Sequence, residues 1–468
     1  MTARGRSTAF LLVLPALVIA AASCTDRAAR VSGWNDAVSA SSGGGALPLA
    51  PVPAELPDEP GLDDYVAYAR EHNPAVRAAR QRWRAALQHV RQARSLPDPK
   101  LSYGNFVESV ETRVGPQRWN ATLSQTFPWF GKRGLRGHVA RNEAAAAGQR
   151  YRAKRLETIF HLKHAYGDYY YLSRAIAVTE ENVQLVTGLE EVARKQYAGG
   201  RAPHSAVIKA QIELEKLRDR LSELRDERDP AMATLNALLG REPNAPVPWP
   251  AHVPNPTAPG AEEELVEQLA SGNPELRALD LAAAKASRAV SLAKKNRYPD
   301  LTLGVTYIST GEAAMPGVAD SGKDPVVLML SVNLPIWGGK NRGAEREARA
   351  QLEAALAERA NRANALVAEL KVALFKWRDA TRKAGLYKDS LIPQAEQSLK
   401  VTQQAFTTGT AGFLDLIDAQ QTLLELQLLY ERALVNCAQQ EATVDMLVGR
   451  EAAAEPAGNH SRADDVEE

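Results

Sequence analysis

Cysteine is nearly absent: Cys24 and Cys437 are the only two in 468 residues, which excludes a disulfide-stapled fold. Net charge is also missing. With 57 basic against 56 acidic residues the chain carries +1, so no global field recruits nucleic acid or an anionic surface, and nucleic acid is not an expected partner. The eight histidines are scattered, and no Gly-rich phosphate loop, GxSxG elbow or paired-carboxylate cleft signature occurs. No catalytic constellation, cofactor or metal site is therefore expected, and the chain does not read as an enzyme. His161 and His164 stand three apart on a long helical stretch, but with no cysteine nearby and no third ligand they read as a solvated helix face.

The apolar run from Ala9 to Ala22 follows Arg4 and Arg6, is too short to span a bilayer and ends in small residues, so residues 1–23 read as a signal peptide. Ala21-Ala22-Ser23-Cys24 looks like a lipobox, in which the Cys24 thiol is the acyl acceptor, although Leu is more usual where Ala21 stands. Thr25 follows where an inner-membrane retention signal has Asp, which favours the outer membrane. Cys437 lies in the spacing Leu423, Leu426, Tyr430, Ala433, Cys437, steps of three and four that point to a packing role.

A composition of 45% hydrophobic and 24% charged residues marks an ordered protein with a core. Residues 24–60 are rich in Ala, Ser, Gly and Pro and read as a tether, 243–260 as a Pro-rich linker, and 452–468 as a disordered acidic tail. Between them the chain repeats itself, 61–242 against 261–451. Asn73-Pro74-Ala75-Val76-Arg77-Ala78 returns as Asn273-Pro274-Glu275-Leu276-Arg277-Ala278. Leu123 to Lys132 (LSQTFPWFGK) is echoed by Leu330 to Lys340 (LSVNLPIWGGK), and Tyr197, Gly200, Gln211 and Leu239-Gly240-Arg241-Glu242 by Phe406, Gly409, Gln420 and Val448-Gly449-Arg450-Glu451.

Each repeat opens on a helix with Asn as N-cap and Pro at the first helical position, ending near Pro97 and Pro299. Strand pairs are expected over 100–127 and 300–335. Arg118 to Phe127 alternates with period two, Gln125 being the mismatch, and Asn105 interrupts the apolar face of Leu101 to Val107. Strands of about ten residues suit a tilted membrane strand, and Phe127-Pro128-Trp129-Phe130 and Ile336-Trp337 suit an interfacial girdle. Two half-buried soluble hairpins are the alternative. Four strands cannot close a barrel and open edges are not tolerated in lipid, so a membrane reading requires oligomers, and three chains give twelve strands. Helical hairpins follow over 135–239 and 342–448, their descending patterns from Leu135 to Tyr197 and from about Arg342 to Thr407 having no internal proline apart from Pro393. Stripes such as Leu214, Leu217, Leu221, Leu224 and Ala363, Leu366, Leu370, Ala373, Trp377 predict antiparallel coiled coils.

The lipobox, the duplicated Asn-Pro helix, the Phe-Pro-Trp-Phe-Gly-Lys corner and the Phe406-x-x-Gly409…Asp415-x-x-Asp418-Ala419-Gln420 turn together resemble the TolC-like outer-membrane factor family, over about Gly61 to Glu451. The resemblance implies a mostly α fold with a β-barrel contribution: four transmembrane strands and long coiled-coil hairpins per chain, completed in a homotrimer as a 12-stranded outer-membrane barrel and a periplasmic helical tunnel. It further implies a passive exit duct of a tripartite efflux system, partnered by a periplasmic adaptor and an inner-membrane resistance-nodulation-division transporter. The Gly131 to Gly134 corner and the lipid anchor look most like the branch paired with heavy-metal pumps. A type I secretion or multidrug duct of the same fold, or a lipid-anchored periplasmic adaptor, are the alternatives. An adaptor would have one hairpin flanked by small β-domains, whereas this chain has two hairpins and two strand pairs.

By the same resemblance Asp415 and Asp418 match the acidic rings that narrow the periplasmic end of the tunnel. The spacing alone also suits acids placed in a first helical turn by the helix dipole. The first repeat departs here, with Ala206 opposite Asp415. Tyr197, Gly200, Phe406 and Gly409 mark the two hairpin tips, which the resemblance assigns to adaptor contact, while glycine there also suits a turn needing positive φ.

Overall fold

The computed structural model describes residues 56–57, 60–253 and 258–451. The expected signal peptide, Cys24, most of the tether and the acidic tail lie outside the described residues. In chain order the elements are α1 (Leu62–His72), α2 (Pro74–Arg94), β1 (Lys100–Asn105), β2 (Gln117–Phe127), α3 (Lys132–Ala198), α4 (His204–Asp226) and α5 (Arg228–Leu239), then α6 (Glu262–Gly272), α7 (Pro274–Lys295), β3 (Leu301–Thr310), β4 (Val326–Val332), α8 (Gly338–Leu386), a π-helical segment (Tyr387–Leu391), α9 (Ile392–Thr408) and α10 (Phe413–Val448).

The two Asn-Pro corners do the same work. Asn73 Oδ1 accepts from the N–H groups of Ala75 (2.9 Å) and Val76 (3.1 Å), and its Nδ2 donates to the Leu238 carbonyl at 2.7 Å. Asn273 Oδ1 accepts from Leu276 N–H (3.0 Å) and Nδ2 donates to the Leu447 carbonyl (2.8 Å). Each asparagine thus caps one helix and satisfies an orphan carbonyl at the end of another in its own repeat. The returning chain turns on Gly240 (φ +73) and Gly449 (φ +81), where a Cβ would lie 3.0 Å from the His72 carbonyl oxygen and 2.7 Å from that of Gly272. Only glycine suits both the dihedral and the space. Under each corner sits a core: Tyr65, Leu162, Tyr169, Leu235 and Leu239 in the first repeat, Leu265, Leu269, Leu366, Leu370 and Leu447 in the second. The short helices α1 and α6, which the sequence reading did not separate, supply part of these cores.

The four strands form one antiparallel sheet in the order β1-β2-β3-β4, so the strand pairs of the two repeats meet at β2 and β3. Opposed residues share a face. One face carries the sets Leu101/Leu123/Val305/Leu328 and Phe127/Leu301/Val332; the other is polar over β1 to β3, with Ser102/Thr122/Thr306 and Ser124/Gly304, and continues on β4 with Val327 and Met329. On that polar face the hydroxyls of Thr122 and Thr306 meet at 2.8 Å and those of Thr126 and Thr302 at 2.9 Å. Gln125, the mismatch on the apolar face, turns its amide to the Pro97 carbonyl at 2.7 Å. Inner strands β2 and β3 run 11 and 10 residues; the outer pair are shorter than expected, at six and seven.

From the sheet α3 runs 67 residues, about 100 Å at the helical rise. Its partner α10 is antiparallel, and their seam joins the repeats through polar contacts. Gln420 donates to Asn182 (2.8 Å), Arg174 to Glu431 (2.8 Å), and Arg432 to Asp168 (2.8 Å). His164 belongs to this seam rather than to a solvated face: Nε2 lies 3.0 Å from the Gln439 carbonyl, and burial pushes its pKa down, whereas His161 is exposed. Cys437 is buried with its Sγ 3.5 Å from the Thr381 hydroxyl, and burial raises its thiol pKa.

Two expected helices are interrupted, each by proline. The return helix of the first repeat breaks at Glu227, where Pro230 crowds the Asp226 carbonyl four residues back. In the second repeat the helix runs through Pro393 by widening into the π segment, which contains Asp389, the residue whose carbonyl Pro393 opposes.

Candidate functional site

The hairpin tips are built alike. At the first, Gly200 takes φ +67, its N–H bonds the Tyr197 carbonyl (2.9 Å) and Arg201 N–H reaches back to Gln196 O (2.8 Å). At the second, Gly409 takes φ +80, its N–H bonds Phe406 O (3.1 Å) and Thr410 N–H reaches Ala405 O (2.8 Å). A Cβ on either glycine meets nothing within 4 Å, so the dihedral and not crowding calls for glycine. An aromatic pair closes each tip: Tyr197 with His204 at 4.9 Å, Phe406 with Phe413 at 5.5 Å. The tips touch through Gln196 Nε2, which donates to the Thr407 carbonyl at 3.1 Å.

What differs is exposure. Tyr197 is 47% exposed, whereas Phe406 is 6% exposed, in a core with Leu189, Val207, Leu399, Phe413 and Leu416. Of the four tip residues, Tyr197, Gly200 and Gly409 present surface; Phe406 holds the tip together from inside. The glutamines of the duplicated motif both bond to α3. Gln420 reaches Asn182, and Gln211 reaches Glu190 at 3.2 Å, a carboxylate held below its ordinary pKa by the 2.6 Å bond from Arg194 and by Gln211.

Asp415 and Asp418 are both exposed on the first turns of α10. Asp415 Oδ2 accepts from Gly412 N–H at 2.9 Å, the reciprocal half of an N-terminal cap, in a turn where the helix dipole also favours a carboxylate. Asp418 is exposed and makes no side-chain hydrogen bond or ion pair among the described residues. The corresponding turn of α4 starts at Pro203 with Ala206 buried. Only the second tip offers an acidic surface pair.

At the opposite end, the corner from β2 into α3 is locked. Lys132, 4% exposed, donates to Asp300 Oδ1 and to the Tyr298 carbonyl, both at 2.8 Å. Asp300 also accepts from Trp129 N–H at 2.8 Å, and its own N–H donates to Asn333. Burial opposes ionisation of Asp300, but the Lys132 ammonium and the Trp129 N–H outweigh it and hold the pKa below the ordinary carboxylate value. Trp129 lies flat on Tyr298, centroids 5.8 Å apart. In the sequence this motif is a repeat signature; its Asp300 partner, 168 residues away, carries no local signal.

With strands, corner and tips in place, the chain can be set beside known proteins. Residues 66–241 and 265–450 each match the outer membrane efflux protein family. The chain belongs to that family. The two matched segments coincide with the two repeats, so the duplication is a property of this efflux protein's family-level fold. The cobalt-zinc-cadmium resistance protein CzcC of Cupriavidus metallidurans is 25% identical over 421 residues, 86% of this chain and 93% of the relative. Among solved structures, the outer membrane protein VceC of Vibrio cholerae superposes with a TM-score of 0.70 at 21% identity, covering 83% of this chain and 96% of VceC. CusC, whose structures describe transmembrane channel formation, does so with 0.72 at 14% identity, covering 86% and 97%. The fold is that of TolC-like outer-membrane channels, and the efflux protein is an outer-membrane transport duct subunit. Among the described residues no helix is long and apolar enough to cross a membrane, and no three His, Cys, Asp or Glu side chains are grouped to hold a metal ion.

Proposed function

We propose that three copies of this chain form the exit duct of a tripartite efflux system, lipid-anchored through Cys24, with its sheets closed into a barrel in the outer membrane and its hairpins in the periplasm. The observation that carries it is the sheet. One face is apolar, the other is largely polar over β1 to β3 while β4 carries Val327 and Met329 on it, and β1 and β4 each leave an edge unpaired. Lipid does not tolerate such edges, and three copies of four strands make a twelve-stranded barrel without one. The 11 residues of β2, with Trp119 in an aromatic row with Tyr103 and Tyr307 and Phe127 at the far end, match the length a tilted membrane strand needs.

Energy is supplied by an inner-membrane resistance-nodulation-division transporter through a periplasmic adaptor that meets the tips at Tyr197, Gly200 and Gly409, with Phe406 as the internal strut. Similarity to a cobalt-zinc-cadmium resistance protein supports divalent metal cations as the cargo. Asp415 and Asp418 then form two carboxylate rings at the periplasmic mouth, which favour cations. Purified protein in planar bilayers should give cation-selective pores and run as a heat-modifiable trimer. A monomer that conducts nothing, from cells where it fractionates with soluble periplasmic proteins, would sink the reading.

A further inference from the structure

The duplication makes the contact between the repeats a template for a contact the single chain cannot make. Helices pack in the row α2-α3-α7-α8, matching the strand row β1-β2-β3-β4. Its middle junction, β2 to β3 and α3 to α7, is closed by the Lys132 corner of the first repeat seated on Tyr298-Pro299-Asp300 of the second. The second repeat has its own copy of the inserting corner, Pro335-Ile336-Trp337-Gly338-Gly339-Lys340, and the first has its own copy of the receiving corner, Leu96-Pro97-Asp98. These two stand at opposite ends of the row and do not meet each other in the chain. Ile336 and Trp337 are 72% and 73% exposed, and Lys340 and Asp98 are exposed with no ion pair among the described residues.

We propose that Lys340 of one copy pairs with Asp98 of the next, Ile336 packing on Leu96 and the outer face of α8 lying on α2, so that this corner closes the junction between copies. It rests on the trimeric duct proposed above and assigns its contact.

Two features of the residues support the match. Within the chain the residue after the corner proline is Trp129 and it stacks on Tyr298, the residue before the receiving Pro-Asp. At the free corners the same two positions are Ile336 and Leu96, so an aromatic pair is replaced on both sides by an aliphatic one. The helix surface agrees as well. On α8, the face opposite buried Ala348 and Leu366 is exposed and carries small residues Ala350, Ala357 and Ala360, which let a neighbouring helix approach, together with Glu353, Arg342 and Arg346.

The test uses the native protein in mild detergent with a carbodiimide, which condenses a carboxylate with an ammonium in direct contact, losing water and forming an amide. Expected are covalent dimers and trimers and a crosslinked peptide joining residues 98 and 340, both abolished in Asp98→Asn and in Lys340→Gln. In a second experiment, Asp98→Lys and Lys340→Asp should each lower the temperature at which the trimer dissociates, and the combined variant should recover at least half of the loss. A wild-type protein that is not a trimer would remove the duct reading and this proposal together. An intact trimer with no 98–340 link and no recovery in the combined variant would overturn this proposal alone and leave the duct standing.

Discussion

The two hairpins share a plan and differ in their descending helices. In the first, α3 runs unbroken from Lys132 to Ala198; in the second, α8 and α9 are joined through the π segment Tyr387–Leu391. Residue numbers show why. The offset between the repeats is 208 at the Gly-Lys corner (Lys132, Lys340), 209 at the tip (Tyr197, Phe406) and still 209 at the end of the return helix (Leu239, Val448). One extra residue lies between corner and tip in the second repeat, and the π turn absorbs it, leaving tip and corner in phase with the first hairpin. Duplication has preserved the ends of the unit, where caps and corners fix geometry, while permitting change along the helices and in tip chemistry.

The largest effect should come from breaking this phase. Deleting Glu181, which corresponds to Ser390, turns the lower part of α3 by about 100° and moves Leu189 and Ala193 out of the core. Trimer yield in outer-membrane extracts should fall at least about tenfold. Deleting Ser390 itself should return the π segment to α-helix and keep yield within about twofold. Equal losses from both deletions would break the explanation of the offset.

The corners come next. Lys132→Ala leaves Asp300 without its ammonium in a site where the lysine side chain is 5% and the carboxylate 25% exposed. The cost in urea titration should be about 2 kcal/mol, discounted from a fully buried pair because water still reaches Asp300. Lys340→Ala, whose ammonium is exposed in the single chain, should cost under about 1 kcal/mol of the chain's own unfolding free energy, its effect falling instead on dissociation of the copies. The asparagine caps test equality instead of difference: Asn73→Ala and Asn273→Ala should each cost about 1–2 kcal/mol, since each loses a cap and orphans a carbonyl. Smallest is the pH effect. Because Asp300 binds its proton more weakly folded than unfolded, its contribution is complete above the unfolded value near pH 4 and is lost as pH falls through the folded pKa. The acid-side fall in thermal stability should be shallower in Asp300→Asn.

Much of this was legible in the sequence, for reasons that can be located. Period-two alternation marks a strand because one face meets a different solvent, which is why Gln117–Phe127 was visible and six-residue β1 was marginal. The Asn-Pro corners announced themselves through capping chemistry. The interruptions at Glu227 and Tyr387–Leu391 did not, since a proline inside an apolar helical pattern signals a break or kink without saying which. At the candidate site, the tips and the acid pair were legible as repeat differences. The burial of Phe406 and the Asp415 cap were not, because both depend on what the tip packs against.

The central claim is that two copies of one unit build the duct and that only the second copy's tip carries its cation gate. The direct measurement is single-channel conductance with divalent-cation block in planar bilayers, comparing Asp415→Ala/Asp418→Ala with His204→Ala/Ser205→Ala at the first tip. The account predicts higher conductance and weaker divalent block in the aspartate variant, and wild-type behaviour in the other. Unchanged conductance and block on removing both aspartates would contradict it.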